Sequence, residues 1–325
     1  MSEQKQAISL KEWAYIAIAK HSRKIFKYES KVPQDKNPEN LHQMRVGMRR
    51  LRSAISGLVT ALDLPPAVTQ RNIAKIGHIL GELRDLDVLL ATLKSDYRPL
   101  LPKKEQKRLD KAIASLEKKR KKAVKKVRKT LDSKRYRNLQ QGIQMWLEKP
   151  QYLPIGDLSI YFVLSDLLLP QVSHLLLHPG WLIGIEMVEG KVEVPESLTE
   201  KTVMQILEQQ EPILHDLRKE AKRTRYNLEL FSKFYGDTYS YYLKQIEQVQ
   251  EVLGHIQDCY VLKEVLEDVL KSAIAEKMPE LNAIFTQTRY QKWQEWSALQ
   301  EEFLDEKTRI ELRQSIQQPK IEKDL

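Results

Sequence analysis

Histidine and arginine recur in this chain at a spacing suited to gripping an anion. His42, Arg45, Arg49 and Arg52 lie three or four residues apart, so on a helix they share an arc of about 80°. Leu41, Met44, Met48, Leu51 and Ile55 fill the neighbouring arc, an apolar stripe that must be buried. Arginine forks chelate phosphate oxygens in bidentate fashion, and lysine and protonated histidine add point charge. The stretch returns 173 residues later: Leu41–Leu58, LHQMRVGMRRLRSAISGL, is matched by Leu214–Phe231, LHDLRKEAKRTRYNLELF. The second stripe is His215, Arg218, Lys222 and Arg225, beside Leu214, Leu217, Ala221 and Leu228. Arg50 and Arg223 also correspond, and flank the main arcs. One such stripe would read as a solvated face. Two stripes with the same sign at the same phase, and no acid within either, suit a polyanion better.

The elements that position these residues show the same offset. Leu80-Gly81-Glu82-Leu83-Arg84-Asp85 aligns without a gap on Leu253-Gly254-His255-Ile256-Gln257-Asp258. Two ungapped matches in one register read as an internal duplication of a helical unit. Residues 67–93 have helical spacing, with a bend expected at Gly81. Their polar face carries Arg71, Lys75, His78, Glu82 and Asp85 within about 80°. In the second copy that face becomes Lys244, Gln248, Glu251, His255 and Asp258. Asp85 and Asp258 either hold nearby arginines through charged hydrogen bonds or are ordinary surface acids.

With these motifs, HxxRVxxRRxR, LHxLRxxxKRxRY and the LGxxxD segment after each, the chain resembles the CHAD domain, the "conserved histidine α-helical domain". Residues 131–147 and 167–181 fit as well, so the resemblance runs from about Leu10 to Phe303. It implies an all-α fold of two pseudo-symmetric helical bundles around a central basic channel, and binding of inorganic polyphosphate.

Composition bounds the partners. The chain has 325 residues with 54 Lys+Arg against 44 Asp+Glu, a formal charge of +10, which favours anionic partners. The single cysteine, Cys259, excludes an internal disulfide and fits a reducing compartment. The first twenty residues lack the apolar core of a signal peptide. Residues 160–177, the most apolar stretch, are broken by Asp166, Pro170, Gln171 and His174 and read as too polar to span a bilayer. A soluble cytosolic protein, associated with polyphosphate granules by family analogy, is expected.

The strongest charge signal is the run Lys103–Arg137, with 17 Lys or Arg against four acids. Leu109, Ile113, Leu116, Val124, Val127 and Leu131 recur at helical spacing within it, so it reads as a packed amphipathic helix. Arg120 falls on the apolar stripe and needs an acceptor: either the anion in the channel or an internal aspartate. Pro150–Pro154 divides the chain into a first repeat, residues 1–150, and a second, residues 151–314, with a fraying tail at 315–325. Residues 181–195 read as a small inserted β-hairpin with a Glu-Gly turn. A short helix at 198–208 precedes the second motif helix.

Catalytic signatures are missing from the sequence. There is no Gly-rich phosphate loop, and no HExxH, CxxC or GxSxG motif. A metal site of His42 and His215 with Asp85 and Asp258 would be opposed by its cationic neighbours. The expectation is a binding protein without cofactor or metal. Its candidate ligand residues are His42, Arg45, Arg49, Arg50, Arg52, Arg71, Lys75, Arg120, His215, Arg218, Lys222, Arg223, Arg225 and Lys244. The alternatives are a nucleic-acid-binding protein using the Lys103–Arg137 helix, and a phosphotransfer enzyme using His42 or His215.

Overall fold

A computed structural model describes residues 8–189, 191–195 and 197–320. Eleven α-helices dominate these residues, and they fall into two compact units that meet between Val163 and Leu164. The chain is thus all-α.

The first unit holds α1 (Leu10–Glu29), α2 (Pro38–Gly57), α3 (Gln70–Thr92), α4 (Lys103–Leu131) and α5 (Lys134–Glu148). Each start has a local cause. Ser9 and Glu12 form a reciprocal capping box on α1. Asn37 caps α2 with Pro38 at its first position, and Thr69 and Ser133 cap α3 and α5. α1 packs on α2, α2 on α3 and α3 on α4. The α1–α2 crossing is close at Gly47, where an added Cβ would lie 2.9 Å from Ile25 Cγ1. The apolar stripe of the first motif goes inward as expected: Leu41, Met44, Met48, Leu51 and Ile55 are all buried. α3 runs unbroken past Gly81 and widens only at its end, where residues 93–97 form a π-helical turn. The basic run is helical, and it is divided at Asp132 and Ser133 into α4 and α5. A two-stranded pairing that the sequence did not announce joins β1 (Leu62–Asp63) to β2 (Gln151–Tyr152).

α6 (Ile160–Leu176) begins in the first unit and continues into the second. By length and composition Ile160–Leu182 could cross a membrane. Here one face of the helix is core, with Ile160, Leu164, Leu168, Val172 and Leu175 fully buried, while Phe162 and Leu177 are exposed and Pro179–Leu182 is a 3₁₀ turn. Strands β3 (Glu186–Val188) and β4 (Lys191–Glu193) then pair antiparallel, with Met187 opposite Val192. This is the expected hairpin, although Gly190 of its turn lies outside the described residues.

The second unit is completed by α7 (Glu200–Phe231), α8 (Asp237–Leu270), the short α9 (Ile274–Lys277), α10 (Pro279–Leu304) and α11 (Glu306–Gln317). The short helix and the motif helix expected separately are one element, α7, with Pro212 inside it. α7 packs on α8, and α8 on α10. The aromatics of α10 are core: Trp296 and Phe303 stack against Trp181 at 5.2 and 5.0 Å between centroids. Of the tail at 315–325, expected to fray, residues 321–325 lie outside the described residues and 315–320 are tied down. The Ile316 side chain is buried, its carbonyl accepts from the Ser165 and Tyr235 hydroxyls, and Lys320 N–H donates to the Phe234 carbonyl.

Candidate anion-binding site

In the first unit the site is built where α2 crosses α3. Arg45 leaves α2 and lies across Gly81 of α3, so close that an added Cβ would fall 1.9 Å from Arg45 Nη1. The glycine is therefore a seat for the guanidinium. Beyond it, Arg45 Nη2 stands 3.4 Å from the Asp85 carboxylate, which is itself 71% exposed. That long single contact orients the arginine and leaves donors available. His42, one turn earlier, is half-buried, and burial and then the Arg84 guanidinium push its pKa below the usual histidine value. Arg84 is thus a member of the site that sequence reasoning passed over, although it lies inside the LGxxxD segment, where the second copy has Gln257 instead. Arg49 is half-buried on the same face, and Arg50 and Arg52 are exposed.

The second unit repeats the contact at the same offset. Arg218 of α7 lies on Gly254 of α8, where an added Cβ would be 3.3 Å from Arg218 Nε. That Nε is buried with no hydrogen-bond partner among the described residues. His215 is half-buried, and burial and then Lys219 hold its pKa low, against weaker upward pulls from Glu211 and Gln257. A cavity of about 10 Å³, the size of one water, opens beneath it and is lined by His215, Gln257, Tyr260 and Arg289 of α10 among others. Arg289 is 7% exposed and burial lowers its pKa. Only the tertiary structure brings this C-terminal arginine near the motif. Lys222 is half-buried, and Asp258 and Lys244 are exposed.

Four expected ligand residues are occupied otherwise or placed elsewhere. Arg120 takes its internal alternative: it forks onto Asp35 at 2.8 and 2.6 Å and donates through Nε to Asp87 at 2.6 Å. Two carboxylates on the inner side of α4 satisfy the guanidinium before any ligand arrives. Arg225 is buried and bonded to Gln250, Glu229 and Glu247, at 3.0, 2.7 and 2.6 Å. Glu229 is one turn beyond the basic stripe and neutralises its last member, a pairing that the helical spacing contained. Lys75 lies on the far side of α3. Its groove neighbours Ile76 and Ile79 point roughly 140° and 160° away from Gly81, and all three face α4 and α5. Arg223 is exposed and paired with Glu220 at 2.6 Å, and Arg71 is exposed.

The arrangement places cations on a helix face, seated over glycine, beside two histidines whose pKa values burial and neighbouring cations lower. Among the described residues no cluster of three metal-ligating side chains occurs. Comparison with known proteins agrees with the architecture. The CHAD domain family model matches residues 16–267, and the chain belongs to that family. The crystal structure of the CHAD domain from the plant Ricinus communis is similar over 98% of both chains, at 23% identity and a TM-score of 0.55. PptA from Streptomyces chartreusis is similar over 96% of this chain and 100% of that one, at 13% identity and a TM-score of 0.57. No curated protein matches the chain. The fold and family fit the polyphosphate-binding class that the family resemblance implies.

Proposed function

We propose that this protein binds inorganic polyphosphate through the two faces built on α2 and α7, and that this binding recruits it to polyphosphate granules. The observation that carries the reading is Arg218. It is seated on Gly254, half-buried, and makes no ion pair among the described residues. A desolvated guanidinium without a carboxylate is costly unless an anion completes it. Polyphosphate offers a line of charge and no bases, so it requires cations in series and no stacking platform, which matches these faces. Each unit offers one face, and a polymer that engages both gains avidity. The basic channel that the family resemblance implies is part of this proposal. No catalytic step is assigned.

The direct test is binding of long-chain polyphosphate and of length-matched single-stranded DNA, side by side at about physiological salt. The protein would be wild type and a variant with Arg45, Arg49, Arg218 and Lys222 changed to alanine. Polyphosphate should win, its affinity should fall steeply with salt, and the variant should bind it much more weakly while staying helical. Equal DNA binding with an unaffected variant, or a flat salt response, would overturn the reading.

The histidines give the binding a pH dependence. Free, both titrate below the usual value because burial and nearby cations oppose the charged form. Phosphate oxygens placed against them favour the charged form, so binding takes up protons. Affinity should therefore rise as pH falls below about 6.5, by at most about tenfold per pH unit for each histidine. The double variant His42→Gln, His215→Gln should flatten the profile. A wild-type profile equally flat between pH 5 and 8 would remove the histidines from the site.

A further inference from the structure

The basic run on α4 is not used by the faces on α2 and α7. Within that run Arg120 is met by Asp35 and Asp87 and Lys126 by Glu82, while the acids Asp110 and Glu117 of α4 are taken by Arg98 and Lys94 from outside the run. Where α4 ends and α5 begins, cations gather around a concavity. There an open groove of about 730 Å³ is bordered by Lys75, Lys126, Lys129 and Arg135, with Ile76 and Ile79 in its wall. Lys75, Lys129 and Arg135 are exposed and make no ion pair among the described residues. Asp132 is the one acid in the lining. Three uncompensated cations around a concave, partly apolar surface concentrate positive potential.

We infer that this groove is a second anion-binding site of the first unit and that it takes phosphoryl oxygens of a polyphosphate chain. It is separate from the Arg45 face, because Ile76 and Ile79 point to the opposite side of α3 from Gly81. The lining contains no aromatic residue, whereas single-strand nucleic-acid binders stack bases on aromatic side chains. This favours the inorganic polymer over nucleic acid. The choice of polymer rests on the function proposed above; the existence of the site does not.

The test is a salt titration of the full chain with long-chain polyphosphate, and in parallel with single-stranded DNA. One variant carries Lys75→Glu, Lys129→Glu and Arg135→Glu; a milder one carries glutamine at the same positions and guards against a folding defect. The groove variants should stay helical and bind polyphosphate more weakly. The slope of log affinity against log salt should fall by about 2, as expected for three lost phosphate contacts on a single strand. Combined with the four-alanine variant of the α2 and α7 faces, they should remove the residual binding. Affinity and slope equal to wild type in both groove variants would overturn the inference. So would a loss confined to DNA, which would assign the groove to nucleic acid. The two readings fail separately, because the four-alanine variant probes only the faces and the groove variants only the groove.

Discussion

Changing Arg120 to alanine is expected to destabilise the first unit by about 3 kcal/mol, the usual cost of removing one partner from a buried ionic group. The guanidinium joins three elements: α4, which carries it; α3, through Asp87; and the turn before α2, through Asp35. Asp87 has a side chain only 6% exposed. Burial already pushes its pKa up, and Arg120 is the main force pulling it down. Asp35 sits at φ 54°, in the left-handed region, so its backbone is held in an uncommon conformation to present the carboxylate. Without Arg120, both acids remain with no cation in place. Urea unfolding would read the loss. A variant that also carries Asp35→Asn and Asp87→Asn should recover much of it, because the uncompensated charge is then gone. Full stability in Arg120→Ala alone would show the cluster to be energetically idle. Polyphosphate affinity at saturating fold should be unchanged in this variant, since the guanidinium is occupied internally.

Gly81→Ala should weaken polyphosphate binding tenfold or more while leaving the protein as helical as wild type. Alanine is a better helix former than glycine by about 1 kcal/mol, so a purely local account predicts a more stable protein with unchanged function. The tertiary contact predicts otherwise. The new methyl would occupy the place of Arg45 Nη1, 1.9 Å away, and the arginine would have to swing off its seat. A lost charged hydrogen bond is worth about 1.5–3 kcal/mol, roughly the loss expected from Arg45→Ala. The two changes should therefore not add in a double-mutant cycle. Gly254→Ala is a graded control. Its methyl would meet Arg218 Nε at 3.3 Å, which a shift of a few tenths of an ångström relieves, so the effect should be much smaller. Wild-type affinity in Gly81→Ala would remove the seat from the mechanism.

Much of this was legible in the chain. The apolar stripe of Leu41, Met44, Met48, Leu51 and Ile55 has helical period, and hydrophobic burial acts on that period directly. The hairpin at 186–193 follows from alternation around a Glu-Gly turn. The position of Arg45, one turn after His42 on the same face, is likewise fixed by helix geometry. The short helix at 198–208 and the motif helix, expected separately, are one helix, α7, which runs through Pro212 and packs on α8.

What the sequence by itself determined is the helical character of the two motif segments and of the basic run and the sign of their faces, because each depends on spacings within a turn or two; the recurrence at 173 residues is likewise a property of the sequence. Which cations remain available to a ligand was decided by the tertiary structure. Arg45 and Arg120 are both arginines on amphipathic helices, yet one rests on a glycine with an exposed aspartate at 3.4 Å and the other is clamped by Asp35 and Asp87. Those partners lie 33 and 85 residues from Arg120. Lys75 was likewise separated from Arg45, because α2 covers one side of α3 while α4 and α5 border the other. Charge pairing depends on distances of a few ångströms between elements far apart in the chain, and helical period alone does not encode those distances.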